Sequence, residues 1–228
     1  FPEGGDIIIP PLAWVSDVNS VLFAGFKPVF SDINLKNLSF DLDKLEKTLY
    51  DNWDSHFTRA IFVTHVLGLN ALSDRLLKLC IDNDVLLIED VCESHGATYN
   101  NIKLGSIGFA SNFSFYFAHH MSTIEGGMVS TNDDYFYQLC RSLRSHGMVR
   151  EFTDDDLIQK YTDNYWDLNQ DFIFIGPAHN FRSTEINAVL GLCQLDKLDS
   201  NNERRIENFK YFVDNLDSGK YHTDFEMD

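Results

Sequence analysis

Two adjacent histidines, His119 and His120, are the most chemically suggestive residues of the chain. They stand in the stretch NFSFYFAHHMSTIEGG, residues 112–127, between a run of alternating phenylalanines and a polar turn with a Gly-Gly pair. Histidine is the side chain whose charge changes near neutral pH, so this loop has a group that can take and give protons. A polar turn with a glycine pair also suits a loop that holds a compact ligand near its backbone. The spacing alone fits two surface histidines on a hairpin equally well.

The elements that must position this loop alternate between strand-like and helix-like patterns. The apolar run VLLIED ends in two carboxylates, the second of which is Asp90. The alternation predicts an α/β fold with a mostly parallel central sheet and helices on both faces. In such sheets ligands bind beyond the C-terminal ends of the strands, where we expect both Asp90 and the 117–123 turn. The predicted strands are 6–10, 27–33, 59–66, 85–90 and 113–117, and the predicted helices are 16–25, 41–49 and 73–83.

The second half of the chain has a less regular pattern. Residues 132–146 predict a helix, with acidic residues at its start and arginines near its end, as the helix dipole favours. Residues 151–171 are polar and acidic and predict a long excursion outside the core. Residues 173–199 turn at Gly176-Pro177 and then enter a helix, and 201–216 predict a separate charged, amphipathic helix.

Composition narrows the class of protein. The chain has 228 residues, is 44% hydrophobic and contains nineteen phenylalanines, all typical of a globular protein. Eighteen Lys and Arg against thirty-five Asp and Glu give a net charge of −17, which argues against non-specific binding of nucleic acid or anionic membranes. A phosphate can still be held locally by a helix N-terminus or one arginine. No apolar run approaches the roughly 20 residues that span a bilayer.

The four cysteines lie far apart, at positions 80, 92, 140 and 193. This pattern is typical of core thiols in a reduced, cytoplasmic protein, more than of disulfides or a metal cage. The chain opens without a methionine, directly into EGGDIIIPP, and ends at Asp228. We therefore expect it to be part of a longer protein.

From about Asp6 to Leu198 the sequence resembles the DegT/DnrJ/EryC1/StrS family of nucleotide-sugar aminotransferases, fold-type-I enzymes that use pyridoxal phosphate. The resemblance implies that 1–199 form the cofactor-binding large domain, shortened at its N-terminus, and that 200–228 begin a small domain. Four collinear segments carry it, namely AWVSDVNSVLFAGFKPVFSDI, IEDVCESHGATYNNIKLGSIG, SFYFAHHMSTIEGGMVSTND and HNFRSTEINAVLGLCQL.

One departure from the family bears on chemistry. Aminotransferases of the family carry a lysine where this chain has His119, and imidazole cannot form the covalent imine that the lysine forms. A histidine there resembles the GDP-4-keto-6-deoxymannose 3-dehydratase group, which shares the HHM…EGG pattern. A sister group, the CDP-hexulose 3-dehydrases, also has this histidine but needs an iron–sulfur cluster on closely spaced cysteines. The cysteines of this sequence lack that spacing, which favours the cluster-free type.

The resemblance implies a role for each of five further residues. Asp90 would pair with the pyridine nitrogen of the cofactor, and Glu93 would lie near its ring hydroxyl. Trp14 would stack on the ring, and Ser114 would bind the phosphate. Asn180 would reach the phosphate from a partner subunit, which implies a homodimer with shared active sites. Each also has an ordinary interpretation, such as a strand-end carboxylate, a core tryptophan or a small polar residue in a strand.

Four neighbouring residues are assigned no direct part in the reaction. His95 and His120 are interpreted as structural residues or as supports of the site. Cys92 is interpreted as a core thiol, and Arg182 as either a substrate contact or a structural residue.

The reaction that the resemblance implies is C3 dehydration of a nucleotide-linked 4-keto-6-deoxyhexose, in 3,6-dideoxysugar and lipopolysaccharide biosynthesis. The cofactor would be pyridoxal or pyridoxamine phosphate, with His119 as the proton carrier and an amino donor such as glutamate regenerating the amine form. Two alternatives stay open. One is a sugar aminotransferase that works without the lysine, and the other is an inactive homologue that serves as a binding subunit.

Overall fold

The computed structural model describes residues 3–51 and 57–226, apart from the side chain of Asn164. The strands are β1 Asp6–Ile9, β2 Lys27–Phe30, β3 Thr58–Thr64, β4 Leu86–Asp90, β5 Thr98–Tyr99, β6 Ile102–Lys103, β7 Ala110–Ser114 and β8 Gly127–Thr131. Six of them form the central sheet in the order β2-β1-β3-β4-β7-β8, and β5 and β6 form a separate two-stranded ribbon. All neighbouring strands of the central sheet are parallel except β8, which runs antiparallel to β7. The predicted α/β fold with a mostly parallel sheet is confirmed.

Helices cover both faces of the sheet. The helices are α1 Val15–Phe23, α2 Leu42–Asp51, α3 Asp74–Asp82, α4 Asp134–Leu143, α5 Asp155–Thr162 and α6 Glu185–Asn215. Helices α2 to α5 each begin where a polar side chain accepts a hydrogen bond from the main-chain N–H three residues further on, which satisfies a donor that the helix leaves free. These capping residues are Asp41 for α2, Ser73 for α3, Asp133 for α4 and Asp154 for α5.

Alternate side chains along the central strands pack into two separate hydrophobic cores, one on each face of the sheet, as the two-residue period of a strand requires. On one face Ile61 and Leu87 pack against α2 and α3, and on the other Phe62 packs with Val21 of α1. This period places two neighbouring carboxylates on opposite faces. Glu89 follows the face of α2 and α3, whereas Asp90 follows the face of α1.

The predicted separation of the last two helices is wrong. One helix, α6, continues from Glu185 to Asn215 through the polar segment at 199–202. That segment carries residues that often end helices, but here their side chains bond elsewhere. Ser200 Oγ donates to the carbonyl of Lys197 at 3.0 Å, and Asn202 Nδ2 donates to the carbonyl of His95 at 2.7 Å. The domain boundary at 199 and 200 therefore falls inside a continuous helix and stays a prediction.

Residues 151–171 are also more ordered than the sequence predicts. They contain α5, and Phe152 packs with Val149 and Ile173 in a small third core. The expectation of core thiols is wrong for one cysteine, since Cys193 is exposed on α6 while Cys80 is buried. Among the helices described, none combines the length and the apolar character needed to cross a membrane.

Candidate active site

A row of polar side chains lies at the C-terminal ends of three neighbouring parallel strands. Thr64 of β3 is in register with Asp90 of β4, and Asp90 is in register with Asn112 of β7. Residues in register across a sheet point to the same face, so the three side chains form one line beneath α1. This edge of the sheet is where parallel α/β proteins bind ligands.

Asp90 is buried and well supplied with hydrogen-bond donors. Asn112 Nδ2 donates to its Oδ1 at 2.8 Å, and the main-chain N–H of Cys92 donates to the same oxygen at 3.0 Å. Burial, and then the charge of Asp90, raise the pKa of the Cys92 thiol well above its ordinary value. Cys92 is therefore a neutral thiol, which agrees with its interpretation as a core residue.

A second carboxylate, which the sequence reasoning missed, faces Asp90. Asp17 lies in the first turn of α1, is 3% exposed and accepts a hydrogen bond from Thr64 Oγ1 at 3.1 Å. Because Thr64 is in register with Asp90 on the neighbouring strand, this hydrogen bond places the carboxyl group of Asp17 beside that of Asp90. Burial first, and then the charge of Asp90, raise the pKa of Asp17 to about 7. The only sequence signal for it was a carboxylate three residues after Trp14, near the start of a predicted helix.

The carboxylate pair has no cationic partner within the parts of the chain that the structure covers. No salt bridge there includes Asp17 or Asp90. A buried carboxylate without a counter-ion is costly unless a proton or a ligand cation balances it. The pair therefore suits a ligand that presents a protonated nitrogen.

Three histidines meet beside this row. The buried ring of His95 lies 6.4 Å from that of His119 and 5.5 Å from that of His120, measured between ring centroids. Burial, followed by the charge of His119, lowers the pKa of His95 to about 4, although Asp90 opposes this. Burial, followed by the charge of Arg205, lowers the pKa of His120 to about 4. His95 and His120 are therefore neutral near pH 7, whereas His119 is only half-buried.

The loop that carries His119 closes on itself through main-chain hydrogen bonds. The carbonyl of Phe115 accepts from Thr123 N at 2.9 Å, and Phe115 N donates to the carbonyl of Gly126 at 2.8 Å. A Cβ atom on Gly126 would lie 2.4 Å from Thr123 Oγ1. The first glycine of the predicted pair is thus needed for this close approach of the chain.

Two amide side chains of α6 hold the same loop from outside. Asn187 Nδ2 donates to the carbonyls of Thr123 at 2.8 Å and Glu125 at 3.3 Å. Gln194 Oε1 accepts from Ser122 N at 2.9 Å, and its Nε2 donates to the carbonyl of Ser122. Sequence reasoning missed both amides; their spacing of seven residues, two helical turns, was the only signal.

Two further predicted site residues lie close to the polar row. Ser114 stands two residues beyond Asn112 on the same face of β7, and its Oγ accepts from Tyr116 N at 3.3 Å. Glu93 follows Asp90 by three residues and is exposed, with Oε2 accepting from the main-chain N–H of Leu67 at 2.8 Å. Both side chains retain acceptor or donor capacity for a ligand.

Trp14 is not a core residue. It occupies the N-cap position of α1 and is 74% exposed, so its ordinary interpretation as a buried tryptophan is wrong. Its carbonyl accepts from Asp17 N at 3.0 Å, which fixes both residues in one helical turn. An aromatic ring left uncovered at the ligand-binding edge of a sheet can serve as a stacking surface.

Asn180 lies apart from the other predicted site residues. It pairs with Ser145 in an isolated bridge, and its Oδ1 accepts from Arg182 Nε at 2.9 Å. In the part of the chain that is described, no hydrogen bond connects it to Asp90 or His119. Its predicted position in a site shared with a partner subunit stays a prediction.

Comparisons with known proteins agree with this architecture. The sequence model of the DegT/DnrJ/EryC1/StrS aminotransferase family matches residues 2–228. GDP-4-keto-6-deoxy-D-mannose 3-dehydratase of Escherichia coli O55:H7 is 31% identical over 221 residues, which are 96% of this chain and 55% of that protein. GDP-perosamine synthase of Caulobacter vibrioides is 33% identical over 196 residues, which are 86% of this chain and 47% of that protein.

A solved structure is similar over the same region. Escherichia coli GDP-4-keto-6-deoxy-D-mannose-3-dehydratase with bound hydrated PLP superposes with a TM-score of 0.79 at 31% identity, covering 92% of this chain and 53% of that one. The chain spans about half the length of the curated relatives that it matches.

Proposed function

Because the chain belongs to the DegT/DnrJ/EryC1/StrS aminotransferase family, we propose that it binds pyridoxal phosphate and acts on a nucleotide-linked sugar. More narrowly, we propose 3-dehydration of a nucleotide-linked 4-keto-6-deoxyhexose, with glutamate or a similar amine as amino donor. The observation that carries this proposal is His119 in place of the lysine that aminotransferases of the family use. The two relatives named as 3-dehydratases, at 31% and 33% identity, support the narrower assignment.

Asp90 of the polar row and three residues near the row suit the cofactor. Asp90 would hold the protonated ring nitrogen, since it is a buried carboxylate without a cationic partner among the described residues. Ser114 and Glu93 would bind the phosphate and the ring hydroxyl, and the exposed indole of Trp14 would cover the ring. When bound, the cofactor supplies an electron sink for bond cleavage at the sugar.

His119 would do the proton transfer. Imidazole cannot trap the cofactor as a covalent imine, but it can take a proton from the carbon attached to the ring and give one to the departing C3 hydroxyl. His95 and His120 are neutral near pH 7 because burial lowers the pKa of each to about 4. They add no positive charge beside His119, which leaves it as the proton carrier of the loop.

The aminotransferase alternative has one observation in its favour. A GDP-perosamine synthase is 33% identical to this chain, which is as similar as the dehydratases are. The absence of lysine at position 119 weighs against it. An inactive binding subunit would have no need for a half-buried histidine together with a buried carboxylate that has no cationic partner among the residues the structure describes.

Replacing His119 in the full-length protein tests the proposal. His119→Asn should lower the rate of 3-deoxy-4-keto product formation by roughly 10²–10⁴-fold, the usual effect of a positioned general base. His119→Lys should produce a yellow covalent adduct that borohydride fixes, whereas the wild type should show none. His120→Asn is the matched control, and its rate should stay within a few-fold of wild type. Dehydration that survives His119→Asn at full rate would reject the assignment.

A further inference from the structure

Asp17 is the buried titratable residue that the proposed reaction leaves without a role. Thr64 Oγ1 donates to its Oδ2 at 3.1 Å, and Thr64 is in register with Asp90, so the two buried carboxyl groups lie side by side. Two neighbouring buried carboxyl groups without a cation do not both ionise, because each negative charge disfavours the other. The pair therefore holds one proton and one negative charge.

The surrounding donors decide which residue carries the proton. Asp90 Oδ1 accepts hydrogen bonds from the side-chain amide of Asn112 and from the main-chain N–H of Cys92. Both partners are N–H groups, which can only donate. Asp17 Oδ2 is bonded to the hydroxyl group of Thr64, which can turn to donate or to accept. Fixed N–H donors therefore face Asp90, whereas the hydroxyl partner of Asp17 accommodates either protonation state of that carboxyl group. With its pKa raised to about 7 by burial and then by Asp90, Asp17 is the protonated member below neutral pH.

Other groups that face the pair do not alter this charge. His95 is neutral near pH 7, because its pKa is lowered to about 4. Cys92 is a neutral thiol, because its pKa is raised. The hydroxyl groups of Thr64 and Ser16 next to Asp17 are uncharged. A proton on Asp17 thus balances the buried pair in place of a cationic side chain.

We propose that Asp17 is a positioning residue that stores one proton beside Asp90 and releases it when a cationic ring nitrogen binds Asp90. The inference rests on the proposed function, which puts the cofactor's pyridine nitrogen at Asp90. Asp17 gives its proton through Asp90 to a nitrogen that is neutral on arrival, or to water when the nitrogen is already protonated. In both cases the carboxylates of Asp17 and Asp90 then face one protonated ring nitrogen, and these three groups together carry a net charge of −1.

The number of protons exchanged on cofactor binding tests the inference. Pyridoxal phosphate is titrated into full-length apoprotein near pH 6 by calorimetry in buffers of different ionisation enthalpy. Asp17→Asn keeps the hydrogen bonds of the protonated side chain but has no proton to release. The wild type should therefore release about one proton more, or take up about one fewer, than Asp17→Asn. The difference should vanish above about pH 8, where Asp17 is already ionised.

The pH dependence of affinity gives a second readout of the same titration. Relative to Asp17→Asn, the cofactor affinity of the wild type should rise up to about tenfold per pH unit below pH 7 and level off above it. Asp82→Asn, an exposed aspartate on α3, is the matched control and should behave as wild type. Equal proton counts for wild type and Asp17→Asn near pH 6 would overturn the role of Asp17. Failure of the wild type to bind the cofactor would instead reject the proposed function.

The pH dependence of the unfolding free energy of the wild-type apoprotein reports the same titration, even if Asp17→Asn does not fold. The pKa of Asp17 is raised from 3.8 to about 7, so the folded state holds a proton that the unfolded chain has lost between those values. Stability should therefore fall as the pH rises through this range, and level off above it. Asp17→Ser is the second variant, and it should remove this slope. A slope that Asp17→Ser leaves unchanged would also contradict the inference.

Discussion

Replacing Glu89 by glutamine should destabilise the protein strongly, although the two side chains have the same shape. Glu89 has no exposed surface and points away from Asp90, toward the face of α2 and α3. Its Oε1 accepts from Ile107 N at 3.1 Å and Gly108 N at 2.7 Å, and its Oε2 accepts from Gly105 N at 2.9 Å. His65 Nε2 lies 3.2 Å from the same Oε2.

The tautomer of His65 follows from its other ring nitrogen. Nδ1 of His65 accepts a hydrogen bond from Ala71 N at 3.1 Å, so Nε2 carries the hydrogen and donates to Glu89. Four donors therefore converge on the carboxylate, two on each oxygen. Whichever way a glutamine amide is placed, its NH₂ group faces two of them.

The expected cost follows from this count. A buried donor without an acceptor costs roughly 1–3 kcal/mol, so two of them should lower the free energy of unfolding by about 4 kcal/mol. Burial tends to raise the pKa of Glu89, but the hydrogen bonds from His65, Gly108 and Gly105 outweigh it and the pKa is lowered. The stabilisation is therefore present above the ordinary pKa of 4.5 and is lost as the pH falls below it.

Urea unfolding of the apoprotein near pH 7 measures this cost. Glu93→Gln is the matched control, because its exposed side chain accepts one main-chain hydrogen bond that a glutamine oxygen can keep. The control should change the free energy of unfolding by less than about 1 kcal/mol. If Glu89→Gln is as small a change as Glu93→Gln, the four-donor account of Glu89 is wrong.

Two further predictions concern assembly and the loop. If the active sites are shared in a homodimer, mixing inactive Asn180→Ala chains with inactive His119→Ala chains should restore part of the activity, because some hybrid dimers regain one intact site. Demonstrably mixed dimers without activity would place Asn180 outside a shared site. Ile124 is exposed and has a φ of 72°, which costs an L-residue with a branched side chain about 1–2 kcal/mol. Ile124→Gly should therefore raise the midpoint of urea unfolding, and a lowered midpoint would contradict this strain.

The strands and the ligand-binding edge of the sheet were predictable because their signals are local. An apolar run such as VLLIED specifies a buried parallel strand, and its final carboxylate must then lie at the C-terminal edge. The position of Asp90 follows from the sequence in this way. The alternating phenylalanines before His119 predicted a strand over 113–117, which is wrong in its bounds, since β7 is Ala110–Ser114 and Phe117 lies exposed beyond it.

The parts that sequence reasoning missed depend on contacts between distant segments. Asp17 is separated from Asp90 by 73 positions, and nothing near it in the chain shows that α1 lies over β4. The polar residues at 199–202 are ordinary helix breakers by propensity. Asn202 bonds to the carbonyl of His95 instead, a tertiary contact that overrides the local preference. Burial and helix continuity at these positions are therefore properties of the fold.

The unbroken course of α6 restricts how this part of the chain can change length. Asn187, Gln194 and Asn202 contact the two segments on either side of the paired histidines, at intervals of seven and eight residues along one helix. One inserted residue would turn everything after it by about 100° and advance it by about 1.5 Å. Asn202 would then point away from His95 while Asn187 stayed in place. A single insertion or deletion between these amides would therefore break the register between the contact to the loop at 122–125 and the contact to His95.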